Sequence, residues 1–120
     1  MFKPCVIIPV FDHERAIRAV VDGVLAQKMP CIIVDDGSGP VCGSMLDELA
    51  RRAPDQITLL RHSHNRGKGD AVLTGVRYAA KCGYSHAVQI DADGQHRVAD
   101  IPSFLSVAVA RPEALIVGCP

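Results

Sequence analysis

Short apolar runs alternate with longer amphipathic stretches along the whole chain. Five runs read as buried strands: Cys5–Val10, Cys31–Asp36, Ile57–His62, Ala87–Asp91 and Ala114–Gly118. They are rich in β-branched residues and apolar almost throughout, as strands covered on both faces tend to be. Between them the apolar positions recur at helical spacing. One predicted helix spans Glu14–Gln27, with Ile17, Val20, Val21, Val24 and Leu25 on one side. A second spans Ser44–Arg52, a third Gly69–Lys81 and a fourth Ala99–Ala110, where Pro102 suits a first-turn position. Strand and helix in regular alternation imply an α/β fold: a Rossmann-like, three-layer α/β/α domain with a mainly parallel sheet and right-handed crossovers. Residues 1–120 are expected to form a single domain.

Parallel strands deliver their carboxyl ends to one edge, and ligands of open α/β sheets bind outside that edge. The predicted strand ends carry Phe11-Asp12-His13, Asp35-Asp36-Gly37-Ser38, His62-Ser63-His64-Asn65 and Asp91-Ala92-Asp93. Solvated loops explain polarity there, but explain acid pairs after two separate strands less well.

Composition narrows the function classes. Thirteen basic and thirteen acidic residues cancel, so no basic field argues for nucleic acid or an anionic membrane surface. No apolar run approaches the roughly 20 residues that span a bilayer, and no transmembrane segment is expected. The N-terminus lacks the apolar length and cleavage site of a signal peptide. Five cysteines form an odd set without a CxxC spacing. Cys5, Cys31 and Cys119 sit in or beside strand-like runs and read as buried small hydrophobes. A reducing, cytoplasmic setting is the expectation.

Three motifs carry candidate chemistry. In "IDADGQH", Asp91, Asp93 and Gln95 alternate, so an extended chain would point two carboxylates and an amide oxygen one way. Mg²⁺ and Mn²⁺ favour such oxygen ligands, although Asp and Gly also suit a plain acidic turn. In "IIVDDGSG" an acid pair closes a strand before Gly37 and Gly39. A carboxylate there can accept from a ribose hydroxyl or a base N–H, or Asp36 or Ser38 can simply cap a turn. In "HNRGKGDA" Arg66 and Lys68 precede a helix whose N–H groups attract phosphate. This is not a Walker A loop, and no GxGxxG follows the first strand. His62 and His64 share a side of an extended strand with no third nitrogen or sulfur ligand near in sequence, and read as loop residues; His96, next to Gln95, is better placed to touch a ligand.

Taken in order, "VIIPVFDHE", "IIVDDGSG", "NRGKGDAV" and "IDADGQH" resemble the family 2 glycosyltransferases, most closely the dolichyl- and polyprenyl-phosphate sugar synthases. The resemblance implies an A-type glycosyltransferase fold and transfer of a sugar from a UDP- or GDP-linked donor to an acceptor such as a polyprenyl phosphate. It implies that Pro9 and Phe11 line the nucleoside pocket and that Asp36 bonds the base. Asp91 and Asp93 match the family's DxD motif, which holds Mg²⁺ or Mn²⁺ against the diphosphate. Gln95 matches a further metal-side residue, and Ala92 approaches the nucleotide through its backbone. The chain departs from the pattern at Asp12-His13-Glu14, where relatives have Asn-Glu, leaving open which acid meets the nucleoside, and at Gly94, where relatives have a larger residue.

The family continues well beyond the point where this sequence ends. The chain therefore reads as a truncated, donor-binding N-terminal portion, with the catalytic base outside it and apolar surface that favours self-association. A polyprenyl phosphate already carries a nucleophilic oxygen and needs less help from a base. Two other readings stand beside this one. A nucleotide- or metal-binding module would share the site without turnover. "IDADG" also resembles the opening motif of haloacid-dehalogenase-type phosphatases, but there it closes the first strand and is followed by Thr or Val, whereas here it follows the fourth and precedes Gln95.

Overall fold

The computed structural model describes residues 1–93, 101–110 and 116–117. Five strands form one parallel sheet: β1 (Pro4–Val10), β2 (Cys31–Asp35), β3 (Ile57–Arg61), β4 (His86–Gln89) and β5 (Ile116–Val117). Their spatial order is β3-β2-β1-β4-β5. Four helices alternate with them: α1 (Ile17–Ala26), α2 (Pro40–Arg52), α3 (Lys68–Lys81) and α4 (Ile101–Val109). The order runs outward from β1 in one direction and from β4 in the other, so the switch point of a doubly wound sheet falls between these two strands.

Alternation along the strands builds two cores. Val6, Ile8 and Val10 of β1 join Ile33 of β2 and Val88 of β4 on one face, under Ile17, Val21 and Val24 of α1, Leu46 of α2 and Ile101 of α4. Cys5 and Ile7 join Ile32, Val34 and Ala87 on the other face, under Ala71 and Ala79 of α3. The small residues let α3 lie close. A Cβ on Gly75 would stand 2.7 Å from Ile7 Cγ2, nearer than side chains pack. Burial pushes the thiols of Cys5 and Cys31 up to about 12, which leaves them inert packing groups. Cys119 lies outside the described residues.

The structure moves several predicted boundaries. α1 begins three residues inside the expected Glu14, after a turn in which Ala16 and Ile17 N–H both donate to His13 O, and no side chain caps its start. α2 begins at Pro40 rather than Ser44. Its cap comes from another loop: Asp12 Oδ1 accepts from Gly39 N–H at 2.8 Å, while Ser38 Oγ accepts from Asp12 N–H at 3.0 Å. A cap borrowed across 27 residues leaves no local trace, and Gly39-Pro40 reads as a turn when it is an N-cap and N1 pair. Asp12 takes φ +53 to make this clasp. Among the described residues no helix is long and apolar enough to cross a membrane.

Pro9 shapes the sheet at the switch point. Ile90 N–H donates to Ile7 O at 3.0 Å, whereas Val6 N–H donates to Pro30 O and Val10 O accepts from Asp36 N–H. Odd-numbered residues of β1 therefore face β4 and even-numbered ones face β2. The next donor toward β4 belongs to position 9, and proline has none. The ladder between β1 and β4 stops there.

Candidate functional site: a crevice at the switch point

Beyond that break lies a cavity of about 380 Å³, within the size range of small-molecule sites. Pro9 and Phe11 line it from the end of β1, Asp36 from the end of β2, and Asp91, Ala92 and Asp93 from the end of β4. All six expected residues that the structure describes thus share one cavity wall or another. Gln95, expected as a metal ligand, lies outside the described residues, as do Gly94 and His96. The wall opposite β4 is the start of α3, with Gly67 and Lys68, and Asn65 and His13 complete it.

The two acids of the β2 end divide their work, because successive residues of an extended chain point to opposite sides. Asp35 Oδ2 accepts from Arg61 Nε at 2.8 Å and its Oδ1 accepts from Ser38 N–H at 2.9 Å. Arg61 continues to Asp47 Oδ1 at 3.1 Å and Gly43 O at 3.2 Å, tying the strand end to α2. The parallel register sets Asp35 beside Arg61. Asp35, not Asp36 or Ser38, therefore caps the turn.

Asp36 turns to the α3 side and organises its entry loop. Its Oδ1 accepts from His62 Nδ1 at 2.7 Å and from Arg66 N–H at 2.8 Å; its Oδ2 accepts from Gly67 N–H at 2.8 Å and Asn65 Nδ2 at 3.2 Å. A carboxylate has about four acceptor sites, and these bonds engage them all. The expected bond from Asp36 to a base would have to displace one. Burial works to raise the Asp36 pKa, but the bonds from His62, Arg66 and Gly67 outweigh it, and the net shift is downward. The loop "HNRGKGDA" is thus braced rather than free.

His62 lies in the loop after β3, as expected, yet it is buried and bonded through both ring nitrogens. β3 ends at Arg61, and His62 follows buried, joined to Asp36 on one side and to Thr74 Oγ1 of α3 at 2.8 Å on the other. An ionised carboxylate only accepts, so Nδ1 carries the proton. No periodicity marks this role, because Thr74 comes from the following helix. His64 is exposed and contacts Ser63. His86 packs against Phe2 at the opposite end of β4 and takes no part in the cavity.

The alternation argument for Asp91, Asp93 and Gln95 is corrected. β4 ends at Gln89 and the chain turns at Ala92–Asp93, so it does not stay extended past Asp91. The turn, not strand geometry, brings both carboxylates to the cavity. Asp91 Oδ1 receives Lys68 Nζ at 2.6 Å and Gln89 Nε2 at 3.2 Å. Its carboxylate therefore already holds one cation from within the cavity, and the oxygen donors of Asp91 and Asp93 suit a divalent ion. Among the described residues no three His, Cys, Asp or Glu converge on a common point. Mg²⁺-type sites routinely complete their shell with water and phosphate oxygens. Arg66 pairs with Asp70 at 3.5 Å instead, and is not among the cavity-lining residues.

A parallel sheet wound outward from its switch point, with an acid-bearing crevice there, defines a Rossmann-like α/β domain. Residues 5–120 match the model of glycosyl transferase family 2, and the chain belongs to that family. It is 31% identical over 116 residues to a polyprenol monophosphomannose synthase of Mycolicibacterium smegmatis, covering 95% of this chain and 44% of that protein. It is 30% identical over 124 residues to a UDP-N-acetylglucosamine–dolichyl-phosphate N-acetylglucosaminyltransferase of Methanococcus voltae, covering 93% of this chain and 49% of that protein. An uncharacterised protein of Methanocaldococcus jannaschii is 33% identical over 100 residues, covering 82% and 44% respectively. The chain spans about half the length of the curated relatives it matches.

Proposed function

We propose that this chain forms the donor-binding half of a glycosyltransferase that moves a sugar from a nucleotide-diphosphate sugar to a polyprenyl phosphate. The observation that carries the reading is the juxtaposition of Asp91 and Asp93 with the cationic start of α3 across the switch-point cavity. The acceptor class follows the relatives named as polyprenol- and dolichyl-phosphate enzymes. A lipid-linked acceptor sets the reaction at a membrane face.

Pro9 and Phe11 would meet the nucleoside, with Ala92 approaching it through its backbone. Asp36 would act chiefly as the brace that holds Asn65 and Gly67 at the cavity wall. Asp91 and Asp93, with Gln95, would hold Mg²⁺ or Mn²⁺. Such an ion, when bound, neutralises charge on the departing diphosphate. The residues of the chain bind and orient the donor, and the acceptor phosphate brings its own nucleophilic oxygen.

Calorimetric titration of UDP and GDP, each with and without Mn²⁺, tests the reading on this chain and on Asp93→Asn. Expected is manganese-dependent binding of one nucleotide, weakened at least about tenfold in the variant, since a charged ligand is lost. Binding of neither nucleotide by the folded chain, or equal binding by the variant, would refute it.

A further inference from the structure

We infer that Lys68 is a resident counter-ion of the crevice, displaced from Asp91 by a divalent ion and then turned to the diphosphate, so that metal and nucleotide bind interdependently. The inference rests on the donor-site reading above and concerns what Lys68 does within it.

Lys68 and Asp91 come from opposite walls. Lys68 is the first residue of α3, and its ammonium reaches Asp91 Oδ1 at 2.6 Å. It is the sole Lys or Arg among the described residues lining a cavity that also holds Asp36, Asp91 and Asp93. The pair is held at its tip: the Lys68 side chain is 57% exposed and that of Asp91 19%. Gly67 and Gly69 flank Lys68, and a Cβ at either would meet nothing within 4 Å. With more than half of its side chain exposed, Lys68 can swing into solvent, while the helix fixes its root.

Charge sets the direction of the swing. In the structure the ammonium pairs with Asp91. A divalent ion on the same carboxylate repels it, and a diphosphate at the start of α3 attracts it. Lysine suits such an exchange because its charge is compact and its stem flexible, whereas a guanidinium favours a fixed bidentate pair. Metal alone must compete with Lys68; metal with nucleotide need not, because the nucleotide gives Lys68 a second partner. By linkage, each ligand then strengthens the other by the same factor.

The test measures Mn²⁺ affinity directly, by electron paramagnetic resonance of the free ion, for this chain and for Lys68→Met without nucleotide. UDP and GDP are then titrated at saturating Mn²⁺. Removal of an exposed competing charge pair should tighten Mn²⁺ alone by about twofold to fivefold. The same variant should bind the nucleotide more weakly at saturating Mn²⁺, with a smaller metal–nucleotide coupling factor. Unchanged or weaker Mn²⁺ affinity in Lys68→Met, beside manganese-dependent nucleotide binding by the parent, overturns the exchange and leaves the donor site standing. Absence of Mn²⁺ binding to either chain overturns both.

Discussion

Asp36 and His62 meet inside the protein, Oδ1 to Nδ1 at 2.7 Å, and His62 passes its other ring nitrogen to Thr74 at 2.8 Å. One buried imidazole thus links the end of β2 to the second turn of α3, across the loop that walls the crevice.

Substituting His62→Ala removes the imidazole and deprives both partners at once. A buried carboxylate loses a charge-assisted bond, and a side-chain-sized void opens between β3 and α3. The expected loss is about 2–4 kcal/mol, read as a lower midpoint in urea unfolding. A change below about 0.5 kcal/mol would mean that the network carries no stability.

The lowered pKa of Asp36 fixes the sign of its pH dependence. The unfolded carboxyl titrates near about 4 and the folded one below that. Its contribution is complete above the unfolded value and drains away as pH falls through the folded one. Unfolding midpoints should therefore drop on acidification below about pH 5. In Asp36→Asn the baseline should be lower and the acid-side fall shallower. An identical slope in the two chains would assign the acid sensitivity to other carboxylates.

Gly37 stands at φ +77, and a Cβ there would lie 2.4 Å from the carbonyl carbon of His64 and 2.5 Å from Asn65 N. Both obstacles are backbone and cannot rotate aside. Gly37→Ala should cost about 2 kcal/mol or more and push Asn65 off the cavity wall. Weaker nucleotide binding is expected together with the lower melting temperature.

Gly75 answers to packing rather than to backbone angle, since its Cβ would meet side-chain methyls of Ile7 and Val34. Gly75→Val should lift α3 from the sheet at a cost of about 1–3 kcal/mol. Thermal unfolding of this variant checks the closeness of that layer, and no loss of stability would contradict it.

The sheet was legible because its strands are short, apolar and bounded, and the helices because their apolar positions repeat. Local signals end where partners are distant. The cap on Gly39 comes from Asp12 in the loop after β1, so α2 reads four residues short. The acid pair 35–36 announces a functional edge, yet which acid serves the turn and which braces the loop depends on Arg61 and His62, both delivered by β3. Motif order picks out Pro9, Phe11, Asp36 and Asp91 to Asp93, which line the cavity, whereas the alternation of Asp91 and Asp93 presumes an extended chain where the structure turns. Lys68 was visible as a cation near a helix start; its hold on Asp91 needed the parallel neighbours that bring α3 and β4 together.

The missing donor of Pro9 bears on the rate at which the crevice fills. Where two strands are zipped to their ends, a ligand must wait for hydrogen bonds to break before it enters. Here the separation of β1 and β4 is written into the covalent structure of the backbone. No bond from a Pro9 N–H has to break for a molecule to stand between the ends of β1 and β4.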